Sequence, residues 1–158
     1  MKIQNCLLLT LAVILIASCN KNDEPANNDS IIFSYHSGGS WIGLDENLII
    51  NSGATHYSVS YRDLQTGKSK SYQTKMKTSG KQWQYLMENF DLKTFTKIQD
   101  GSCRACLDGF DDVFSVTLDR NTYSIYNGNN DEHYKQMQNF FDAIDEQIGN
   151  FETLAGFR

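Results

Sequence analysis

The spacing of apolar residues restricts the fold of this chain more than any other feature. In one kind of segment they occupy every second position, as where Tyr57, Val59 and Tyr61 alternate with polar neighbours. In another kind they recur every third or fourth position, which is the period of a helix with one buried side. A chain that mixes the two periods is expected to pack amphipathic helices onto a half-buried sheet.

Four strands are predicted before the first helix. Ile31 to His36 forms the first, and Ser37-Gly38-Gly39 is expected to end it. Leu48 begins the second, which turns at Asn51-Ser52-Gly53, and the strand with alternating tyrosines comes third. The fourth, Lys68 to Lys77, is so polar that an edge strand is expected, with its lysines on one strand face.

Two helices and a hairpin are predicted in the remainder. Ser79, with Gln82 three residues later, resembles a capping box, and an apolar stripe at helical spacing follows it. A hairpin is expected to turn at Arg120-Asn121. An apolar stripe from Tyr134 to Phe151 then predicts one long final helix, with Asp131 and Glu132 at its N-terminus. The order ββββ-α-ββ-α predicts an α+β fold with a mostly antiparallel sheet and helices on one face.

The N-terminus carries an uncharged apolar run from Leu7 to Ala17, preceded by Lys2. It is shorter than the roughly 20 residues that a transmembrane helix needs, and it is typical of a signal peptide. The residues that end at Cys19, Ile16-Ala17-Ser18-Cys19, resemble the lipobox of bacterial lipoproteins. The resemblance implies cleavage before Cys19 and lipid on its sulfur, since stable anchoring takes more than one acyl chain. The alternative is an ordinary signal peptide with a chance cysteine.

The domain organisation and location follow from that processing site. Residues 1–18 are expected to be the signal peptide, 19–30 the lipidated cysteine and polar tether, 31–151 a single α+β domain, and 152–158 a tail. The short charged tract after Cys19 resembles the lipoprotein export signal of Bacteroidota. The resemblance implies an outer-membrane protein of a Gram-negative bacterium, on the periplasmic face or the cell surface.

Charge restricts the class of partner. Removal of residues 1–18 takes away only one charged side chain and leaves 13 basic against 19 acidic residues, a formal charge of −6. Binding to nucleic acid depends on clustered lysine and arginine, so no nucleic-acid partner is expected. The expected partners are the membrane, through the N-terminal lipid, and another protein of the envelope. No cofactor is predicted.

Cys103 and Cys106 are the two cysteines left after processing, since Cys6 lies in the signal peptide and Cys19 carries lipid. A pair in an exported chain predicts a disulfide. The alternatives are thiol–disulfide exchange and a zinc site. Four aspartates lie nearby in the sequence, and carboxylates raise a thiol pKa, which opposes a redox role. Zinc needs two further ligands, and no metal site is predicted.

Two loops are candidate binding surfaces. The glycine-rich stretch from Ser37 to Gly43 lets backbone approach a ligand and carries Trp41; the second is Asp108-Gly109-Phe110-Asp111-Asp112. The candidate binding residues are Gly38, Gly39, Trp41, Asp108 and Asp111. The alternatives are a glycine-rich bend with Trp41 over the core, a turn before a strand, and a calcium site without EF-hand spacing.

Catalytic motifs are not apparent. Neither His36 nor His56 lies in a recognisable nucleophile–base motif, and no HExxH sequence is present. Paired carboxylates fall in loops and in the last helix, where solvation explains them. The chain is therefore expected not to be an enzyme.

Together, the strand that ends at Ser37-Gly38-Gly39 with Gly43 after it, and Asp108 to Phe114 before a hairpin and helix, resemble the emfourin-like proteins. These are small inhibitors of thermolysin-type metalloproteases, and the resemblance spans roughly residues 31–148. The chain departs from the family in having three residues between Gly39 and Gly43, where the family has two. Protease inhibition is thus the alternative to a non-enzymatic binding or accessory module, and an envelope thiol–disulfide protein is a third.

Overall fold

The predicted α+β fold is confirmed in a computed structural model that describes residues 30–39 and 43–156. One six-stranded antiparallel sheet has the order β4-β3-β2-β1-β5-β6. Its strands are β1 Ile32–Gly39, β2 Leu44–Ile50, β3 Thr55–Arg62, β4 Ser69–Met76, β5 Phe110–Leu118 and β6 Asn121–Tyr126. The helices are α1 Gly80–Asn89, α2 Leu92–Phe95, α3 Glu132–Gln136 and α4 Gln138–Ala155, with short 3₁₀ turns at Ala105–Leu107 and Gly128–Asn130.

The core lies between the helices and one face of the sheet. Phe33 of β1 is 1% exposed and contacts Phe140 of α4, with ring centroids 5.0 Å apart. Tyr57 of β3 stacks on Phe151 near the other end of α4 at 4.9 Å. Burying aromatic rings from both layers is what holds α4 across the sheet. Of the helices in the described residues, none is long and apolar enough to cross a membrane.

The predicted end of the first strand at His36 is wrong. β1 continues through Ser37 and Gly38 to Gly39, because β1 is central in the sheet and this backbone pairs on both sides. Gly38 lies opposite Asp45 of β2 and Asp111 of β5. Glycine was interpreted as a breaker, but pairing on two sides outweighs its weak strand propensity.

The other differences are local. The hairpin turns at Asp119-Arg120, one residue earlier than predicted, and both residues have the positive φ, 48° and 71°, that a tight hairpin turn requires. Met137, with φ −106° and ψ 19°, separates α3 from α4, where one long helix was predicted. Ser79 does cap α1 as predicted, since its side chain accepts the Gln82 N–H.

The polar fourth strand is confirmed as an edge of the sheet. Its lysines do not share one face, however. Lys70 lies opposite Tyr61 on the helix side and pairs with Asp63, whereas Lys75 lies opposite His56 on the open side. Lys70 and Lys75 differ by an odd number of positions, so the side-chain alternation places them on opposite faces.

Candidate functional site

The candidate binding residues from both predicted loops meet at one end of the sheet. Because neighbouring strands are antiparallel, the end of β1, the start of β2, the end of β3 and the start of β5 lie at the same end of the sheet. This loop end therefore consists of the residues that flank the β1–β2 connection, the β3–β4 turn at residues 63–68, and the disulfide loop, residues 100–109. Trp41 lies outside the described residues.

Gly39 allows the end of β1 to pack directly against the disulfide loop. It lies opposite Phe110 of β5 and has φ +119°, a conformation that favours glycine. A Cβ at this position would be 2.9 Å from the Ala105 Cβ and 3.0 Å from the Gly109 carbonyl oxygen. The absence of a side chain at Gly39 thus lets the loop rest on the strand.

Gly38 makes room for an imidazole instead. A Cβ there would be 2.9 Å from His36 Nε2. On the open face of the sheet, His36 Nδ1 lies 3.0 Å from Asn47 Oδ1 and 3.5 Å from Asp45 Oδ1. The His36 and Asp45 side chains are about half exposed, at 47% and 59%, so this is a solvated polar cluster.

The predicted disulfide joins Cys103 and Cys106, whose Cα atoms are 5.5 Å apart. It closes a tight loop: Leu107 N–H and Gly109 N–H both donate to the Arg104 carbonyl oxygen at 2.9 Å. Asp108 then takes a left-handed conformation with φ 61°. The result is a short, stapled turn that projects from the start of β5.

Asp111 holds this turn to the sheet. Its Oδ1 accepts N–H groups from Arg104 at 2.7 Å, from Ala105 at 3.2 Å and from the Asn127 side chain at 2.7 Å. Those hydrogen bonds, the one from Asn127 first, lower the pKa of the Asp111 carboxyl. The binding role predicted for Asp111 stays a prediction; within the chain its carboxylate is an anchor for the loop.

Asn127 connects the loop to β5 and β6. It is 5% exposed and left-handed, with φ 50°. Its amide also donates to the Ser102 carbonyl oxygen at 2.9 Å, while its side-chain oxygen accepts the Asp112 N–H at 2.8 Å. Sequence reasoning placed this residue in a loop and missed its role, because a single asparagine carries no signal for so many partners.

Two exposed leucines mark the outer surface of the loop end. Leu107, at the tip of the disulfide loop, is 85% exposed, and Leu64 in the β3–β4 turn is 58% exposed. Asp108 lies beside Leu107 and is exposed as well. Neither leucine was singled out from the sequence, because each lies in a turn rather than in a periodic segment.

Beneath the disulfide loop, polar groups from five elements line a small cavity. Tyr35 donates to Asp112 Oδ1 at 2.9 Å, and Arg104 Nη1 lies 3.4 Å from Asp112 Oδ2. Burial raises the pKa of the Tyr35 hydroxyl, so it remains a donor at neutral pH. Tyr134 and Asp145 complete this side of the cavity. The sequence assigned Tyr134 to the apolar stripe of the last helix and gave no role to Asp145.

For metal binding, the described residues contain no group of three or more His, Cys, Asp or Glu side chains placed to hold an ion. A comparison with models of known protein families finds none that matches this chain, and a comparison with curated proteins finds no match either. The geometry of the loop end is therefore the basis for proposing a function for this chain.

Proposed function

We propose that this chain is a lipid-anchored envelope protein of a Gram-negative bacterium, held at the outer membrane through Cys19, which binds a protein partner without catalysis. The observation that carries the binding role is the disulfide loop. It offers Leu107, 85% exposed, on a backbone fixed by a disulfide and by the hydrogen bonds of Asp111. A preordered loop loses little conformational entropy on binding, so its exposed apolar side chain is well suited to contact a partner.

The position of the anchor supports the same surface. Ser30, the first described residue, hydrogen-bonds Asp119 in the β5–β6 turn. That turn lies at the opposite end of the sheet from the disulfide loop, and β1, with eight residues, separates the two by about 26 Å. A lipid on Cys19 thus joins the domain at the end away from Leu107, which leaves the loop end free to face a partner.

A crosslinking experiment tests this surface. The full lipoprotein carries a photo-crosslinking residue at Asp108, and crosslinked products from native envelopes are identified by mass spectrometry. We expect one dominant protein partner, lost in a Leu107→Asp variant. Leu154→Asp is the matched control, since Leu154 is an exposed leucine on α4. If both variants retain the crosslink equally, the loop end is not the partner surface.

Protease inhibition is the second candidate. It is favoured by one observation: the two segments that carry the emfourin resemblance lie side by side, with Gly39 opposite Phe110. The lipoprotein in detergent should then inhibit a thermolysin-type protease at near-stoichiometric concentration, and Leu107→Asp should weaken the inhibition. If a large excess of the lipoprotein leaves the protease rate unchanged, this candidate fails.

A further inference from the structure

The cavity beneath the disulfide loop is distinct from the exposed surface of that loop. It has a volume of about 110 Å³ and lies between the loop, β1, β5 and the two C-terminal helices. Its polar lining comes from Tyr35, Arg104, Asp112, Tyr134 and Asp145. The volume accommodates a charged head group with a few methylene groups and no larger molecule.

Two of these polar groups have no partner within the described part of the chain. Tyr134 is only 6% exposed, yet its hydroxyl makes no hydrogen bond to residues 30–39 or 43–156. Burial raises the pKa of that hydroxyl, so it stays neutral with its oxygen available to accept. Asp145, whose side chain is exposed to solvent at the mouth of the cavity, makes no ion pair with those residues either. The Tyr134 oxygen remains reachable from the cavity that it lines, where a bound group can supply its hydrogen-bond partner.

The charges around the cavity indicate the sign of that group. Arg104 is engaged by Asp112 at 3.4 Å and by the Asn129 side chain at 2.8 Å. Asp145 has no such cation and faces Asp142 and Asp112. Desolvation, and then these two carboxylates, raise the pKa of Asp145 to about 6. With one arginine against these carboxylates, the cavity carries net negative charge at neutral pH.

We propose that this cavity binds the ammonium group of a primary alkylamine. An ammonium carries three N–H donors, and the cavity offers three acceptor groups: the Asp145 carboxylate, the Asp112 carboxylate and the Tyr134 hydroxyl oxygen. The rings of Phe114 and Tyr134, which also line the cavity, suit the first methylene groups of the alkyl chain. The amine is either a free molecule or a lysine side chain of the bound protein; the second source rests on the proposed function.

An NMR titration of the full lipoprotein in detergent micelles tests the proposal. The probes are n-butylammonium and Nα-acetyl-lysine methylamide, with Nα-acetyl-norleucine methylamide as the uncharged control. Both amines should shift the Asp145 side-chain carboxyl resonance and lower its pKa, and the norleucine amide should do neither. Tighter binding of the lysine amide than of butylammonium favours a lysine side chain as the source, and the reverse favours a free amine.

Three variants check which groups bind. Asp145→Asn should weaken amine binding about tenfold and Tyr134→Phe about threefold, as expected for loss of a charged and a neutral acceptor. Glu146→Gln, an exposed change on the same helix, should leave it unchanged. Binding should also weaken as pH falls through 6. The proposal is overturned if the norleucine amide binds as well as the lysine amide, or if Asp145→Asn has no effect.

The same titration separates this proposal from the partner surface. Leu107→Asp should abolish the protein crosslink while butylammonium still binds, because Leu107 does not line the cavity. If Asp145→Asn weakens amine binding but preserves the crosslink, the cavity is assigned to a free amine. Loss of the crosslink in both variants would instead assign it to a lysine of the partner.

Discussion

At the residue scale, the conformation of Gly39 decides how closely the disulfide loop packs on β1. Its φ of +119° is unfavourable for any other residue, and the space that a Cβ would occupy is filled by Ala105 and the Gly109 carbonyl. The two constraints are independent, one on the backbone and one on packing.

Gly39→Ala should therefore lower the free energy of unfolding by about 2–4 kcal/mol, measured by urea denaturation. Gly43→Ala is the matched control. It also has a positive φ, +60°, but apart from its chain neighbours no atom of residues 30–39 or 44–156 lies within 4 Å of the position that a Cβ would take. Only the backbone cost of about 1 kcal/mol then applies. Equal losses in the two variants would show that contact with the loop contributes nothing.

Asp145 makes the stability of the folded domain depend on pH. Its folded pKa of about 6 lies above the ordinary value of 3.8, so the folded chain favours the protonated form. That contribution to stability is complete below about pH 4 and is lost as pH rises through 6. Asp145→Asn, which mimics the protonated form, should stabilise the domain at pH 7.5 by about 1 kcal/mol, a value reduced for the exposure of this side chain to solvent.

Urea denaturation of both proteins at pH 7.5 and pH 4 measures this effect. The increase in the free energy of unfolding caused by Asp145→Asn should be clear at pH 7.5 and absent at pH 4. A variant less stable than the parent at pH 7.5 would mean that the charged carboxylate of Asp145 is stabilising, contrary to its raised pKa.

At the scale of the elements, the disulfide loop is held in two ways. The disulfide closes a loop of only four residues, which limits its effect on the unfolded chain. Asp111 and Asn127 supply the other attachment, through partly buried hydrogen bonds to the loop backbone. The hydrogen bonds should matter more, since a buried polar group that loses its partner carries a desolvation cost.

The double change Cys103→Ser, Cys106→Ser should lower the free energy of unfolding by about 1–2 kcal/mol. Asn127→Ala should lower it by about 2–4 kcal/mol, because it removes three hydrogen bonds and disfavours a left-handed backbone. Urea denaturation ranks the variants, and amide hydrogen exchange at residues 103–109 reports the loop. The reverse ranking would make the disulfide the main attachment.

At the scale of the whole molecule, the two ends of the sheet are expected to have different functions, one in membrane attachment and the other in partner binding. Ser30 hydrogen-bonds Asp119 in the β5–β6 turn, and the exposed leucines Leu64 and Leu107 lie at the other end. An anchored domain with this polarity presents the loop end away from its attachment point. The proposed lipid on Cys19 is the part of this arrangement that a single substitution removes.

Cys19→Ala should abolish lipid attachment and move the protein from the membrane fraction to the soluble or unprocessed pool. Cell fractionation and detergent phase partition measure the change. Cys6→Ala is the matched control, because Cys6 lies within the expected signal peptide and should leave anchoring intact. Membrane retention in the Cys19 variant would indicate an anchor other than lipid.

The α+β class, the order of the strands and main helices and the disulfide pair could be predicted from the residues alone, because apolar periodicity and cysteine spacing are local signals. It did not predict that β1 continues through Gly39, since strand pairing on both sides involves residues far apart in the chain. It did not predict the break at Met137 either, because this buried methionine fits the helical spacing of its neighbours.

The residues that form the loop end and its cavity could be identified only from the folded chain. Tyr35, Arg104, Asp112, Tyr134 and Asp145 come from separate elements, and no spacing along the chain relates them. Their proximity results from the pairing of β1 with β5 and from the packing of the C-terminal helices on the sheet. The spacing of apolar residues indicates which side of a helix or strand is buried. A site assembled from several elements depends instead on how those buried sides pack together.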